Sequence, residues 1–222
     1  MAKSSVNTPS VPAPVDTLTA RGRKTRDALL DAARTVFETV GFPDTRVEQI
    51  SQEAKVSYGT FYRYFESKED IFRELSTRLF EDVHRREPAD SDLSPAARLV
   101  ASNRSYYQAY RRNARLMAIV EQVATFNDEF RALRQQHRQQ LVERTSRAIA
   151  RWQADGLVRS SLDPVFAARA MAAMVDHTLY LWLVQGDEAD EERLLDTLDQ
   201  MCLGALGLDP DTAQSREENP AP

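Results

Sequence analysis

The chain of 222 residues holds one cysteine, Cys202. That excludes an internal disulfide and any cysteine-built zinc site, and it suits a reducing cytoplasm. Its three histidines, His84, His137 and His177, stand far apart in sequence. A histidine-rich metal centre or a histidine-based triad lacks material, and no cofactor is implied. No apolar run approaches the ~20 residues of a membrane span, and no charged-then-apolar N-terminus of the secretory type is seen. Proline interrupts no amphipathic run. Pro9, Pro12 and Pro14 fall in a polar stretch at the start, and Pro220 and Pro222 in another at the end. Residues 1–20 and 208–222 accordingly read as a disordered leader and tail. Hydrophobic residues at 42% and charged residues at 28% describe an ordinary globular chain.

A net charge of −5 argues at first against a partner as acidic as DNA. Its distribution reverses the inference. Residues 155–222 carry 14 acidic side chains against 4 basic, whereas residues 21–87 carry 13 of each. Within that balanced segment Arg21, Arg23, Lys24 and Arg26 precede the first acidic residue, Asp27, as a short basic arm. Arg46, Lys55, Arg63 and Lys68 add four more cations to the same half.

Periodicity is helical throughout. Leu29, Ala32, Ala33, Val36, Phe37 and Val40 form one face of a first helix over about 24–40. Val47, Ile50 and Ala54 mark a short second helix, opened by Thr45 and Glu48 in capping-box spacing. A third, over about 58–64, follows Ser57, and a fourth starts at Ser67. Apolar spacing then gives separate helices around Leu99–Tyr110 and Met117–Ala124, a long one from Phe126 to Trp152, and two last ones, Phe166–Leu183 and Leu194–Ala205. Ser94-Pro95 and Asp163-Pro164 are N-caps with proline at the first helical position, and Gly41, Gly156, Gly186 and Gly207 fit C-caps. No useful segment alternates with period two. The prediction is an all-α protein of about nine helices: an N-terminal three-helix domain with a helix-turn-helix, then a C-terminal bundle. The domain boundaries are 21–66 and 67–207.

The second and third helices flank the turn Lys55-Val56-Ser57. Two short helices across a three-residue turn make a helix-turn-helix, whose second member can enter a major groove. The stretch from Ser57 to Phe65 packs three tyrosines, two hydroxyl residues and an arginine into nine positions. Phe61 and Phe65, four apart, are expected to face inward with Ile50 and Val36, leaving Tyr58, Thr60, Tyr62 and Arg63 outside. Gly59 costs about 1 kcal/mol of helix propensity relative to alanine, which a close backbone approach to a phosphate would justify.

Gly41-Phe42, Thr45, Val47, Ile50, Ala54, Val56-Ser57, Gly59, Tyr62, Tyr64-Phe65 and Ser67-Lys68-Glu69 resemble the DNA-binding signature of the tetracycline-repressor (TetR) family over residues 24–72. Two positions depart from it. Ser51 and Lys55 stand where the family often has alanine and glycine, and Lys55 must adopt a turn conformation that costs it about 1 kcal/mol. The resemblance implies that Thr45 and Lys68 meet phosphates, the former helped by a helix dipole. It also implies that Ser57, Tyr58, Thr60 and Tyr62 meet backbone or base edges. Arg63 is the residue best equipped for guanine, and Arg21, Arg23 and Lys24 add phosphate or minor-groove contacts. With few base-reading groups, part of the specificity would come from DNA shape.

The last two helices carry wide apolar faces through Met171, Met174, Thr178 and Trp182, then Leu194, Leu198, Met201 and Ala205. Such faces suit a two-fold, four-helix interface between subunits. A dimer would place two recognition helices one DNA turn (~34 Å) apart on a pseudo-palindrome. The resemblance implies an effector cavity among Phe80, Tyr106, Tyr110, Met117, Val120, Glu121, Phe126, Phe130, Trp152 and His177. Mixed aromatics with few polar groups suit a hydrophobic or aromatic ligand. The segment Tyr110–Met117 with Glu121-Gln122 looks like one found in regulators of lipid or acyl-CoA metabolism. Arg111, Arg112 and Arg115 read as a solvated basic face. His137 reads as a hydrogen-bonded core histidine. Asp176 and His177 lie about 100° apart on a helix and cannot share a face.

The expected function is a cytoplasmic, homodimeric transcriptional regulator, a repressor released from double-stranded operator DNA by a small molecule. An enzyme would need convergent acid–base or nucleophilic groups that this sequence lacks. The remaining rival is a ligand-carrier or interaction bundle that binds no operator.

Overall fold

The computed structural model describes residues 18–85 and 93–208. The expectations for the leader and tail fall almost wholly outside them. Among the described residues there are eight α-helices and no strand. They are α1 (Ala20–Val40), α2 (Val47–Glu53), α3 (Tyr58–Tyr62), α4 (Lys68–Val83), α5 (Pro95–Phe126), α6 (Asp128–Ala154), α7 (Pro164–Tyr180) and α8 (Glu191–Leu206). A π-helical turn, Leu181–Gln185, extends α7 and stops at Gly186 in the left-handed conformation.

The all-α expectation holds, with one helix fewer. The stretches around Leu99–Tyr110 and Met117–Ala124 form the single 32-residue α5. Arg111 to Leu116, between them, contains no glycine or proline to break it. Local chemistry sets most ends. Ser94 and Asp163 cap α5 and α7 ahead of their prolines, and Asn127 accepts from Glu129 and Phe130 to separate α5 from α6. Two ends differ from expectation. α1 starts at Ala20, capped by Thr19, so the basic arm lies within its first two turns. α2 is capped at Arg46, whose backbone N–H donates to the Gln49 side chain; Thr45 and Glu48 do not form the box.

The first four helices join the rest through α4 and through direct contacts of α1 with α5. Phe37 of α1, Phe42 of the following loop, Phe72 of α4 and Phe130 of α6 form one aromatic cluster, with centroid separations of 4.7–6.0 Å. Such pairs add roughly 0.5–1.5 kcal/mol each beyond area burial. Polar ties reinforce the joint. Arg26 of α1 pairs with Glu74 of α4, and Arg73 of α4 with Glu129 of α6. Asn113 of α5 accepts from Arg34 at 2.9 Å and donates to Asp82 at 3.0 Å. α6 and α7 then pack together, with α8 against α5.

Candidate nucleic-acid interface and ligand cavity

The helix-turn-helix forms as the sequence requires. Ile50, Phe61 and Phe65 are fully buried and anchor α2 and α3 onto α1. Ser57 caps α3, accepting from the Thr60 N–H at 3.2 Å and sharing a 2.7 Å bond with the Thr60 hydroxyl. Lys55 sits in the turn with φ +55°, the strained departure anticipated for it. Ser51, the other departure, is buried, and its hydroxyl has no hydrogen-bond partner among the described residues.

Outward from Phe61, the short α3 presents Ser57, Tyr58, Gly59 and its capping residue Arg63 to solvent. The Tyr58 and Tyr62 hydroxyls lie 2.9 Å apart and their rings meet edge to face. That bond, with some burial, pushes the Tyr62 hydroxyl up to about 12. Tyr62 therefore keeps its proton, and its hydroxyl can both donate and accept. A Cβ built on Gly59 would meet nothing within 4 Å. Packing within the fold thus gives no reason for a glycine there. Arg21, Arg23, Lys24, Arg46 and Lys55 are also exposed.

Three cations or polar groups are placed otherwise than the sequence suggested. Thr45 is 2% exposed and donates its hydroxyl to the Gly41 carbonyl at 2.6 Å, so that side chain serves the loop. Lys68 turns inward: its ammonium donates to the carbonyls of Phe42 (2.9 Å), Pro43 (3.0 Å) and Thr45 (3.1 Å). Three carbonyls of the α1–α2 loop converge on the ammonium above the Phe42 ring. Arg26 leaves the basic arm for its Glu74 pair and the face of Phe65.

A cavity of about 360 Å³ lies between the end of α4 and helices α5–α8. Of the residues expected to line an effector cavity, Tyr106 and Trp152 face this one. A small adjoining pocket of about 30 Å³ takes Phe80 and Met117, with Tyr106 shared. The other candidates are elsewhere. Tyr110 and Val120 are packed core, and Phe130 belongs to the aromatic joint. Phe126 is 58% exposed at the end of α5. Glu121 pairs with Arg134, though burial still holds its carboxyl above the usual range. His177 is exposed, stacked on Tyr180, while its neighbour Asp176 points inward to the Tyr106 hydroxyl (2.8 Å) and Arg134 (3.3 Å). His137 is half-buried and lies flat against Phe80 at 4.6 Å, so stacking is what holds it.

Sequence reading missed His84, Arg98 and Arg144 of the cavity wall. His84 caps α4 and is pushed down to about 4, by burial first and then by Arg144 and His137. Arg144 donates to the His84 carbonyl at 2.9 Å. Nothing in a periodicity marks these residues, since arginines on amphipathic helices read as solvated.

The predicted dimer face divides in two. Met171 and Leu198 are buried inside the subunit, Met171 against the cavity, and Trp182 stacks on Tyr107 at 5.5 Å. Met174, Thr178 and Leu194 are half-buried. Met201 and Ala205 remain outside, together with Phe166, Ala170 and Leu181 on α7 and its extension. A helix already packed on its own bundle can offer only its outer stripe. Arg111, Arg112 and Arg115 are exposed; Arg111 pairs with Glu191 at 3.0 Å. Among the described residues no helix is long and apolar enough to cross a membrane, and no group of histidine, cysteine or acidic residues could hold a metal.

Residues 29–75 match the family described as bacterial regulatory proteins, tetR family. An uncharacterized HTH-type transcriptional regulator, YdgC of Bacillus subtilis, is 42% identical over 67 residues, covering 30% of this chain and 32% of YdgC. The chain thus spans about a third of the length of the first curated relatives it matches. The HTH-type transcriptional regulator TtgR of Pseudomonas putida is 26% identical over 76% of this chain and 84% of its own. The structure of SmeT, the repressor of the Stenotrophomonas maltophilia multidrug efflux pump SmeDEF, superposes with TM-score 0.67 over 83% of this chain and 91% of SmeT. Its sequence is 24% identical, so the likeness is one of fold. The matches are to transcriptional regulators, not enzymes.

Proposed function

We infer, from the match of residues 29–75 to the tetR family of bacterial regulatory proteins, that this chain represses transcription as a homodimer that a small molecule releases from a pseudo-palindromic operator. One observation carries the reading. α3 buries Phe61 and turns Tyr58, Gly59 and Arg63 outward, beside the exposed cations Arg46 and Lys55. A five-residue helix with that surface serves little as packing, but it suits a major groove.

One such helix buries too little to be selective, and the exposed stripe of Phe166, Ala170, Leu181, Met201 and Ala205 supports pairing of two copies. Apolar walls around the cavity suit a hydrophobic or aromatic effector, lipid-related compounds included. The link to DNA runs along α4. Its last residue, Val83, and its capping residue, His84, line the cavity, and its first, Lys68, holds the loop before α2. An effector that binds better to a form with wrongly spaced recognition helices shifts the population away from DNA, and DNA weakens effector binding by the same factor.

The test is a gel shift with the DNA flanking the protein's own gene, on wild type and on Arg63→Ala. Wild type should shift at low salt, and Arg63→Ala should lose operator affinity by about 1–3 kcal/mol while keeping non-specific binding. Met201→Asp should yield monomers in sedimentation and lose the shift. A folded dimer that shifts no such DNA would instead be a carrier, and equal effector affinity with and without operator would sink the release mechanism.

A further inference from the structure

We propose that Tyr58 and Tyr62 meet DNA as one unit: Tyr58 donates its hydroxyl proton to an acceptor on the duplex, and Tyr62 is a positioning residue that holds Tyr58 in place. This rests on the DNA-binding reading above and deepens it, dividing between two residues a contact that the family resemblance implies for each separately.

The pair is built outward from the core. Phe61 is fully buried, the Tyr62 ring meets it edge to face at 5.3 Å, and the Tyr58 ring meets Tyr62 in the same way at 4.9 Å. Exposure grows along that series, since Tyr62 is half-buried and Tyr58 is 49% exposed. As the first and last residues of α3, four apart, the two tyrosines share one helical face. Their hydroxyls, 2.9 Å apart, close the arrangement at its outer edge.

Stability does not account for that bond. Exposed hydroxyls that bond each other give up bonds to water, at little net gain. Rings fixed in advance, by contrast, spare a complex the cost of ordering them. Only one of the two protons can lie between the oxygens. The bond to Tyr58 is the largest of the causes that push the Tyr62 phenol up. A phenol holds its proton harder when a neighbouring oxygen accepts it, which makes Tyr62 the donor within the pair. The Tyr58 proton is then left for an outside acceptor, at the end of a chain in which each bond polarises the next. DNA offers such acceptors as phosphate oxygens and, in the major groove, as guanine O6 and N7, adenine N7 and thymine O4.

Phenylalanine removes each hydroxyl and keeps its ring. Wild type, Tyr58→Phe, Tyr62→Phe and the double variant are compared in gel shifts on the DNA flanking the protein's own gene and on an unrelated duplex. Tyr58→Phe should cost about fivefold or more in affinity, the worth of one hydrogen bond. Tyr62→Phe should cost about threefold, and the double variant should match Tyr58→Phe, because Tyr62 acts only through its neighbour. Equal loss on both duplexes identifies a phosphate acceptor, and loss confined to the flanking DNA identifies a base edge; either supports the donor role. Losses that multiply in the double variant mean two independent contacts and overturn the proposal. Full affinity in either single variant overturns it too, as does a greater loss in Tyr62→Phe than in Tyr58→Phe.

A second readout needs no DNA. In protein carrying 3-fluorotyrosine, whose phenol ionises at lower pH than that of tyrosine, the fluorine resonance missing from Tyr62→Phe belongs to Tyr62. Its titration should move to lower pH in Tyr58→Phe, and an unmoved titration overturns the pair. A wild type that shifts neither duplex at low salt refutes the regulator reading and the contact together. A wild type that shifts the flanking DNA, with losses that multiply, refutes the pair alone.

Discussion

The ammonium of Lys68 donates to the carbonyl of Phe42 at 2.9 Å and lies 4.8 Å from the centre of the Phe42 ring. With Pro43 and Thr45 completing the set, one lysine at the start of α4 fixes the loop that leads into the helix-turn-helix. Its charge is matched by carbonyl dipoles of the α1–α2 loop, which sets it apart from the exposed cations Arg46, Lys55 and Arg63.

Lys68→Met should therefore behave as a loop variant. It removes three charge-assisted hydrogen bonds but keeps the aliphatic stem, for an expected loss of about 2–3 kcal/mol in urea unfolding. Operator affinity should fall without any change in the slope of log affinity against log salt. A phosphate contact at this lysine would lower that slope by about 1, and finding so would refute the internal role.

Both departures of the turn region from the family pattern carry a cost that substitution should recover. Ser51 buries a hydroxyl without a partner among the described residues, so Ser51→Ala is expected to stabilise the fold by about 1 kcal/mol. Lys55 is strained by its positive φ. Lys55→Gly relieves that strain but loosens the unfolded chain, for a net gain of about 0.5–1 kcal/mol. Chemical denaturation reads both; Lys55→Gly should also weaken DNA binding, and Ser51→Ala should leave it unchanged.

His84 makes stability depend on pH in a defined direction. Its folded value of about 4 lies below the ordinary 6.5 because burial, Arg144 and His137 oppose its charge, against a smaller pull from Asp176. Between about pH 4 and 6.5 the unfolded chain binds the proton that the folded chain refuses, so stability rises with pH across that window and is fully present above it. The largest contribution is roughly 3 kcal/mol. His84→Gln should flatten the stability profile between pH 4 and 6.5; an unchanged slope would place the titration elsewhere.

Helix identity was legible because it is local. Capping residues such as Ser57, Ser67, Ser94 and Asp163 sit beside the backbone groups they satisfy, and the inward set Ile50, Phe61 and Phe65 follows from a period of about 3.6. The unbroken course of α5 was less legible: the apolar residues are interrupted between Tyr110 and Met117, while no glycine or proline there stops the helix.

By itself the sequence determined the all-α character, the helix-turn-helix and the exposed polar face of its second helix, since each depends on residues within one or two turns of one another. Only the tertiary structure decided where Lys68 and the cavity arginines point. The carbonyls that take Lys68 lie 23 to 26 residues away in the chain, and Arg144 meets His84 across a separation of 60. Whether a cation is solvated, held inside the fold or turned toward a ligand is set by helix packing that joins distant segments, and no periodicity records it.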